Sequence, residues 1–174
     1  VRQVLIGNAE AIAMSISFSG ELAWELHITN EQLKLAFSTL WDAGQEFDIK
    51  PFGLRATESM RMEKGYRHWK ADLITEFNPF ESALERFVAM EKDFIGKEAL
   101  QKTIASGPRR RFVSMEVKAG EAPAHAGGSI VKDRRLIGTV TSAAWGYRTE
   151  KNIAMAFVEP NFSEIGSTFD VEML

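Results

Sequence analysis

Glu25 and His27 lie two residues apart in the run Trp24-Glu-Leu-His-Ile28. Alternation of Trp24, Leu26 and Ile28 with these polar residues predicts a strand whose wet face carries an acid beside an imidazole. One glutamate carboxylate can accept two adjacent N–H donors as a bidentate pair, so Glu25 suits a ligand with a guanidine-like edge. The same periodicity also fits Glu25 as the solvated face of a half-buried strand, and His27 reads more simply as a surface histidine. Tyr66, Arg67 and Trp69 follow closely on one another. Aromatic faces and a cation suit the flat and anionic parts of a ligand, and they equally suit a packed seam between domains. Arg61 and Glu63 stand beside Met60 and Met62, so their charges fall close to a packed face. A buried unpaired charge is costly, so internal ion pairs or helix-end contacts are expected for both. No side chain reads as a catalytic group. The histidines at 27, 68 and 125 lack metal-ligand spacing and no metal is expected. Neither a GxGxxG nor a Walker sequence is present for a dinucleotide or nucleoside triphosphate.

Two candidate helices with a polar connector, in residues 53–88, organise the surrounding chain. The first holds Leu54, Ala56, Met60 and Met62, with Gly65 as the residue that ends it in a left-handed conformation. Asn78-Pro79-Phe80-Glu81 then supplies a cap, a proline at the first helical position and a carboxylate three residues after the cap. Phe80, Ala83, Leu84, Phe87 and Val88 keep the spacing of one buried helical face and predict a second helix. Before these, residues 13–21 alternate Met14, Ile16 and Phe18 with serines. They predict a strand that turns at Ser19-Gly20-Glu21 and forms a hairpin with the Trp24 strand, whose apolar side leaves Glu25 facing a cleft. Asn30 caps a helix with Leu33, Phe37, Leu40 and Trp41 on one side, closed by Gly44. Ile95, Ala99, Leu100 and Ile104 predict a further helix that stops at Ser106-Gly107-Pro108. Beyond it, residues 112–117, 128–131, 136–141, 153–157 and 168–173 read as short strands of a small barrel or sandwich, with Lys132-Asp-Arg134 as one turn. The expected boundary therefore divides 1–107 from 108–174. Trp145-Gly-Tyr-Arg148 reads as a plain turn of the second part.

Forty-five per cent hydrophobic residues in 174 are enough to build a core, so a folded protein is expected. A net charge of -3 provides no field for gathering nucleic acid or an anionic membrane. With no cysteine, disulfides and thiol chemistry are excluded. No apolar run is long enough to span a bilayer, and no secretory leader is legible at the start.

Several stretches together resemble the folate-binding aminomethyltransferase family, which includes the glycine cleavage T-protein and the C-terminal portions of dimethylglycine and sarcosine dehydrogenases. They are Phe18-Ser-Gly20-Glu21-Leu-Ala-Trp24-Glu25, Arg55 to Tyr66, Asn78 to Leu84, Asp93-Phe-Ile-Gly96-Lys-Glu-Ala-Leu100, and Gly138 to Ser142 running on to residues 152–156. The resemblance implies an α+β fold, with the later part of a folate-binding domain followed by a small C-terminal β-barrel. It implies a tetrahydrofolate-dependent one-carbon (aminomethyl) transfer module forming 5,10-methylenetetrahydrofolate, or else a non-catalytic folate-binding or assembly module of a flavoprotein. Glu25 takes the position of the family's pterin-binding glutamate. Phe18 stands where a tyrosine is common, keeping a stacking surface without the hydroxyl. Tyr66 and Trp69 are further folate-binding candidates. Thr57 stands where T-proteins carry a folate-recognising arginine, so no ligand role passes to Arg55. The family's catalytic aspartate has no counterpart here, and the chain reads as a fragment that would not catalyse alone. FAD is implied only with an upstream domain. The implied setting is cytoplasmic, or mitochondrial in a eukaryote, with a homo-oligomer or an upstream flavin domain as partner, and neither nucleic acid nor membrane.

Overall fold

The structure is a computed structural model that describes residues 1–120 and 122–173. It divides into two compact units, Val1–Tyr66 and Arg67–Leu174.

The first unit opens with a hairpin absent from the sequence-based expectation: β1 (Arg2–Ile6) and β2 (Ala9–Met14), joined by Gly7 at φ 59 and Asn8. β3 (Glu25–Ile28) pairs antiparallel with β2, giving the order β1-β2-β3. The expected strand over 13–21 is thus corrected to 9–14, and an irregular connector replaces the tight turn at Ser19-Gly20-Glu21. Alanine explains why this was hard to see. Ala9, Ala11 and Ala13 form the buried side of β2, and a row of single methyl groups gives little apolar contrast along the chain. Small side chains are what the packing requires, because α1 (Asn30–Gly44) lies on that face with Ala36 fully buried beside Ile6, Ala9 and Ala11. The helix covers the expected span, but Thr29 and not Asn30 is its cap residue. Gly44, at φ -77, does not end the path but leads into a 3-10 turn over Gln45–Phe47. The inward side of α1 is centred on Ala36, while Leu33 and Phe37 are 55% and 65% exposed. α2 (Leu54–Glu63) ends as predicted. Gly65 has φ 70, its N–H donates to the Met62 carbonyl at 3.1 Å, and the Tyr66 N–H donates to the Arg61 carbonyl at 2.9 Å.

In the second unit the helix expected over 80–88 does not form. The capping box is present: Asn78 Oδ1 accepts from the Phe80 and Glu81 N–H groups, and Glu81 Oε2 accepts from the Asn78 N–H at 3.1 Å. The chain then leaves the helical path at Ala83, φ 53, and continues into a 3-10 turn over Glu85–Phe87. Tertiary bonding overrides propensity. The Glu81 carbonyl, which a helix would use four residues on, accepts the Phe112 N–H at 2.8 Å, and its buried carboxylate also receives the Arg109 N–H and Nε. α3 (Lys97–Ser106) ends at Gly107 as expected, although Ile95 before it is fully exposed.

All five expected strands are present as β4 (Arg111–Glu116), β5 (Ser129–Lys132), β6 (Arg135–Gly146), β7 (Lys151–Val158) and β8 (Asp170–Val171). They form an antiparallel sheet in the order β4-β7-β6-β5-β8. Ile130, Ile137, Val140, Ala154, Ala156 and Val158 make its core. Asp133 and Arg134, both at positive φ, turn β5 into β6 as the right-handed twist of a hairpin demands. The two end strands of that order line one cavity of about 940 Å³ together with residues 162–169, so the sheet curls towards a barrel. Among the described residues beyond Arg110 the one helical stretch is a 3-10 turn, Pro160–Phe162. No helix among the described residues is long and apolar enough to cross a membrane.

Candidate functional site

Strand register places Glu25 and His27 on the side of the first unit's sheet that α1 leaves uncovered. Glu25 pairs with Met14 and His27 with Ile12, and paired residues share a face. His27 Nε2 lies 3.4 Å from Glu25 Oε2, both side chains being 54% exposed. A cleft of about 480 Å³ on this sheet is lined by Gln3, Leu5, Glu10, Ile12 and His27 among others, but not by Glu25. Glu25, expected to face a cleft, adjoins this one through His27 and stands half-exposed. Trp24, expected on the buried side, is 54% exposed because the connector holds it beyond the sheet's last paired residue. His27 lies beside the candidate carboxylate on the exposed face, as the strand period predicts, and is itself a surface histidine.

The connector that carries Phe18 rests on the C-terminal half of α2. A Cβ added to Gly20, itself at φ 80, would lie 2.0 Å from Lys64 Cγ, so only glycine allows this approach. The Gly20 N–H donates to Ser17 Oγ at 2.9 Å, and Glu21 reaches Lys64 at 4.0 Å. The Phe18 ring, 38% exposed, has the Arg61 guanidinium 6.0 Å from its centroid. Arg61 is 1% exposed. It donates from Nε and Nη2 to Glu58 Oε2 at 2.8 and 2.6 Å, and from Nη1 to the Tyr66 carbonyl at 2.9 Å. The expected internal ion pair of Arg61 is thus present. It also brings two of the four candidates, Phe18 and Tyr66, onto one guanidinium, with the Tyr66 side chain 44% exposed.

Trp69 belongs to the second unit, 68% exposed in a tight loop. Sequence reasoning missed the residue that builds this loop. Asp72 has no exposed surface, and its carboxyl accepts the His68 N–H at 2.7 Å and the hydroxyls of Thr141 and Ser142, the latter at 2.8 Å. Thr141 is the extra residue of a bulge in β6, where Val140 and Ser142 pair with successive residues of β7. A short polar residue in a polar connector carries no local sign of such a role. Arg67, which by sequence suits a ligand or a packed seam equally, packs over the Phe112 ring at 4.8 Å and donates to the Ala83 carbonyl at 3.1 Å. Burial holds its guanidinium pKa below the ordinary arginine value, with Asp72 opposing that shift.

The half-exposed Glu25 carboxylate keeps acceptor capacity for further N–H donors. The lone pairs of Glu25 outnumber the one contact from His27.

Residues 1–92 match the family described as the GCVT N-terminal domain, and residues 110–174 match the glycine cleavage T-protein C-terminal barrel domain. The mitochondrial dimethylglycine dehydrogenase of Homo sapiens is 34% identical over 175 residues, covering 99% of this chain and 20% of that protein. An aminomethyltransferase of Caldanaerobacter subterraneus subsp. tengcongensis is 30% identical over 170 residues, covering 97% of this chain and 45% of that protein. The crystal structure of the glycine cleavage system aminomethyltransferase T from Bartonella henselae aligns with a TM-score of 0.82 at 25% identity, over 92% of this chain and 45% of that one. The chain thus spans about a fifth of the dehydrogenase and under half of the aminomethyltransferases.

Proposed function

We propose that this chain, which belongs to the glycine cleavage T-protein family, is a tetrahydrofolate-binding module for one-carbon transfer from an amine. The observation that carries the reading is Glu25: a half-exposed carboxylate on the uncovered face of the β1-β2-β3 sheet, at the end of the run Gly20-Glu21-x-x-Trp24-Glu25. Glu25 would accept the adjacent N–H donors of the pterin, while Phe18 and Tyr66 would offer aromatic surface. The folate, when bound, supplies the nitrogens that take up the one-carbon unit, the product being 5,10-methylenetetrahydrofolate. These residues bind and orient, and holding reactants together removes the entropy of a bimolecular encounter. Trp69, in the second unit, has no part in this binding. Its relatives' names point to aminomethyl or methylamine donors. A flavin, in the dehydrogenase branch, would be held by residues other than these.

Calorimetric titration with tetrahydrofolate tests the assignment. Glu25→Gln is expected to weaken binding by about 1.5–3 kcal/mol, the range for hydrogen bonds to a charged group, and unchanged affinity would count against it. Folate-dependent capture of a one-carbon unit, compared between this chain and the full-length protein, separates a catalyst from a folate-binding assembly module. The expected result is capture by the full-length protein and a far lower rate for this chain alone. Equal rates would place the catalytic group within residues 1–174.

A further inference from the structure

We infer that Arg61 is a positioning residue for ligand binding, acting by holding the Phe18 ring and the Tyr66 backbone on one buried guanidinium. The inference rests on the folate reading above, for a residue that touches no ligand itself.

Helix termination does not explain the arrangement. The end of α2 is already closed by two backbone bonds, Gly65 to Met62 and Tyr66 to Arg61. The further bond from Arg61 Nη1 to the Tyr66 carbonyl, at 2.9 Å, fixes the chain one step past that closure, where the Tyr66 side chain leaves for solvent. Phe18 has a similar need. It lies in a connector outside the strand ladders, where backbone pairing cannot set the direction of its ring. Near it are the Ser17–Gly20 bond, the close approach of Gly20 to Lys64, and the guanidinium 6.0 Å from the ring centroid. Glu58 clamps the guanidinium through two donors, so its plane cannot turn away from either partner. A lysine would preserve the charge and lose the planar fork that serves these groups together.

A double-mutant cycle on the full-length protein tests the inference, with tetrahydrofolate as the titrant and wild type, Phe18→Leu, Arg61→Lys and the double variant as the four species. Arg61→Lys is expected to raise Kd by roughly tenfold, and the double variant to lose clearly less than the product of the two single losses, as coupled residues do. Amide exchange without ligand supplies a second readout: residues 15–21 and 64–67 should exchange faster in Arg61→Lys. Single losses that multiply, a Kd within about twofold of wild type, or unchanged exchange in both segments would each overturn the positioning role. Should Arg61→Lys fail to fold, Glu58→Ala removes the acceptor of both clamp bonds and must reproduce the coupling with Phe18→Leu, or the inference falls. Wild-type protein that does not bind tetrahydrofolate, or binding indifferent to Glu25→Gln, would overturn the folate reading and this inference with it. Binding that depends on Glu25 but shows no coupling between Phe18 and Arg61 would overturn this inference alone.

Discussion

At the residue scale, Asp72 and Glu159 show how differently two carboxyl groups can serve a fold. The Asp72 carboxyl, without exposed surface, satisfies the His68 N–H and the hydroxyls of Thr141 and Ser142, joining a connector to the bulge of β6. Asp72→Ala would leave buried donors unmade and is expected to lower stability by about 1–3 kcal/mol, read from the urea midpoint. Glu159 is instead a surface acceptor for Arg135, at 2.8 and 2.7 Å. The hydrogen bond from Arg135 comes first in holding it below the ordinary carboxylate value of 4.5, and Arg110 adds to the effect. Because the folded state binds this proton less readily than the unfolded one, the contribution is complete above about pH 4.5 and is lost as pH falls through the folded value. A pH series of denaturation midpoints should therefore show wild type and Glu159→Gln differing at neutral pH and converging in acid. A gap that widens below pH 4.5 would contradict the assignment.

At the scale of elements, α2 starts at Gly53 without a side-chain cap and runs on as a helix, while the segment after Asn78 starts with a capping box and does not. α2 runs ten residues to Glu63 and closes on Gly65. A Cβ at Gly65 would meet nothing within 4 Å, so Gly65→Ala tests backbone conformation alone and should cost about 1–2 kcal/mol in thermal unfolding. After Asn78 the capping box forms, but the Phe112 N–H takes the Glu81 carbonyl and Ala83 turns to φ 53. Ala83→Gly discriminates between turn and helix by sign. It should be neutral or stabilising, by up to about 1 kcal/mol, where glycine in a helix interior would cost a similar amount. Clear destabilisation would favour the helical path.

At the scale of the whole molecule, the first unit leaves much apolar surface open. Leu5, Phe37, Phe47, Phe52 and Leu54 are each more than 60% exposed, and Leu33 and Phe37 share the outer side of α1. Leu33 and Phe37, one helical turn apart, form an exposed apolar stripe on α1. The chain expressed by itself is expected to bind a hydrophobic dye and to scatter light at high concentration. Phe37→Glu should reduce both while leaving the far-ultraviolet circular dichroism unchanged. Dye binding and scattering equal to wild type would show that this helix face is not responsible.

The sequence by itself determined what local chemistry can determine. Glycine at the end of α2, a helix from Asn30 to Gly44, five short strands after Pro108 and the turn at Asp133-Arg134 all follow from backbone preference or from side-chain period. The family resemblance was legible in the same way, as an ordered set of short motifs. What only the tertiary structure decided depends on partners far along the chain. Phe112 stops a helix that its own residues would begin, and Asp72 meets hydroxyls 69 and 70 positions away. The alanines of β2 become a buried face because Ala36 lies against that sheet. The candidate site divides along the same line. Glu25 and its neighbour His27 could be singled out from their strand and motif, but which face of the sheet they occupy was decided by α1 covering the other. The guanidinium shared by Phe18 and Tyr66 could not be read at all, because the connector holding Phe18 has no period that points towards Arg61.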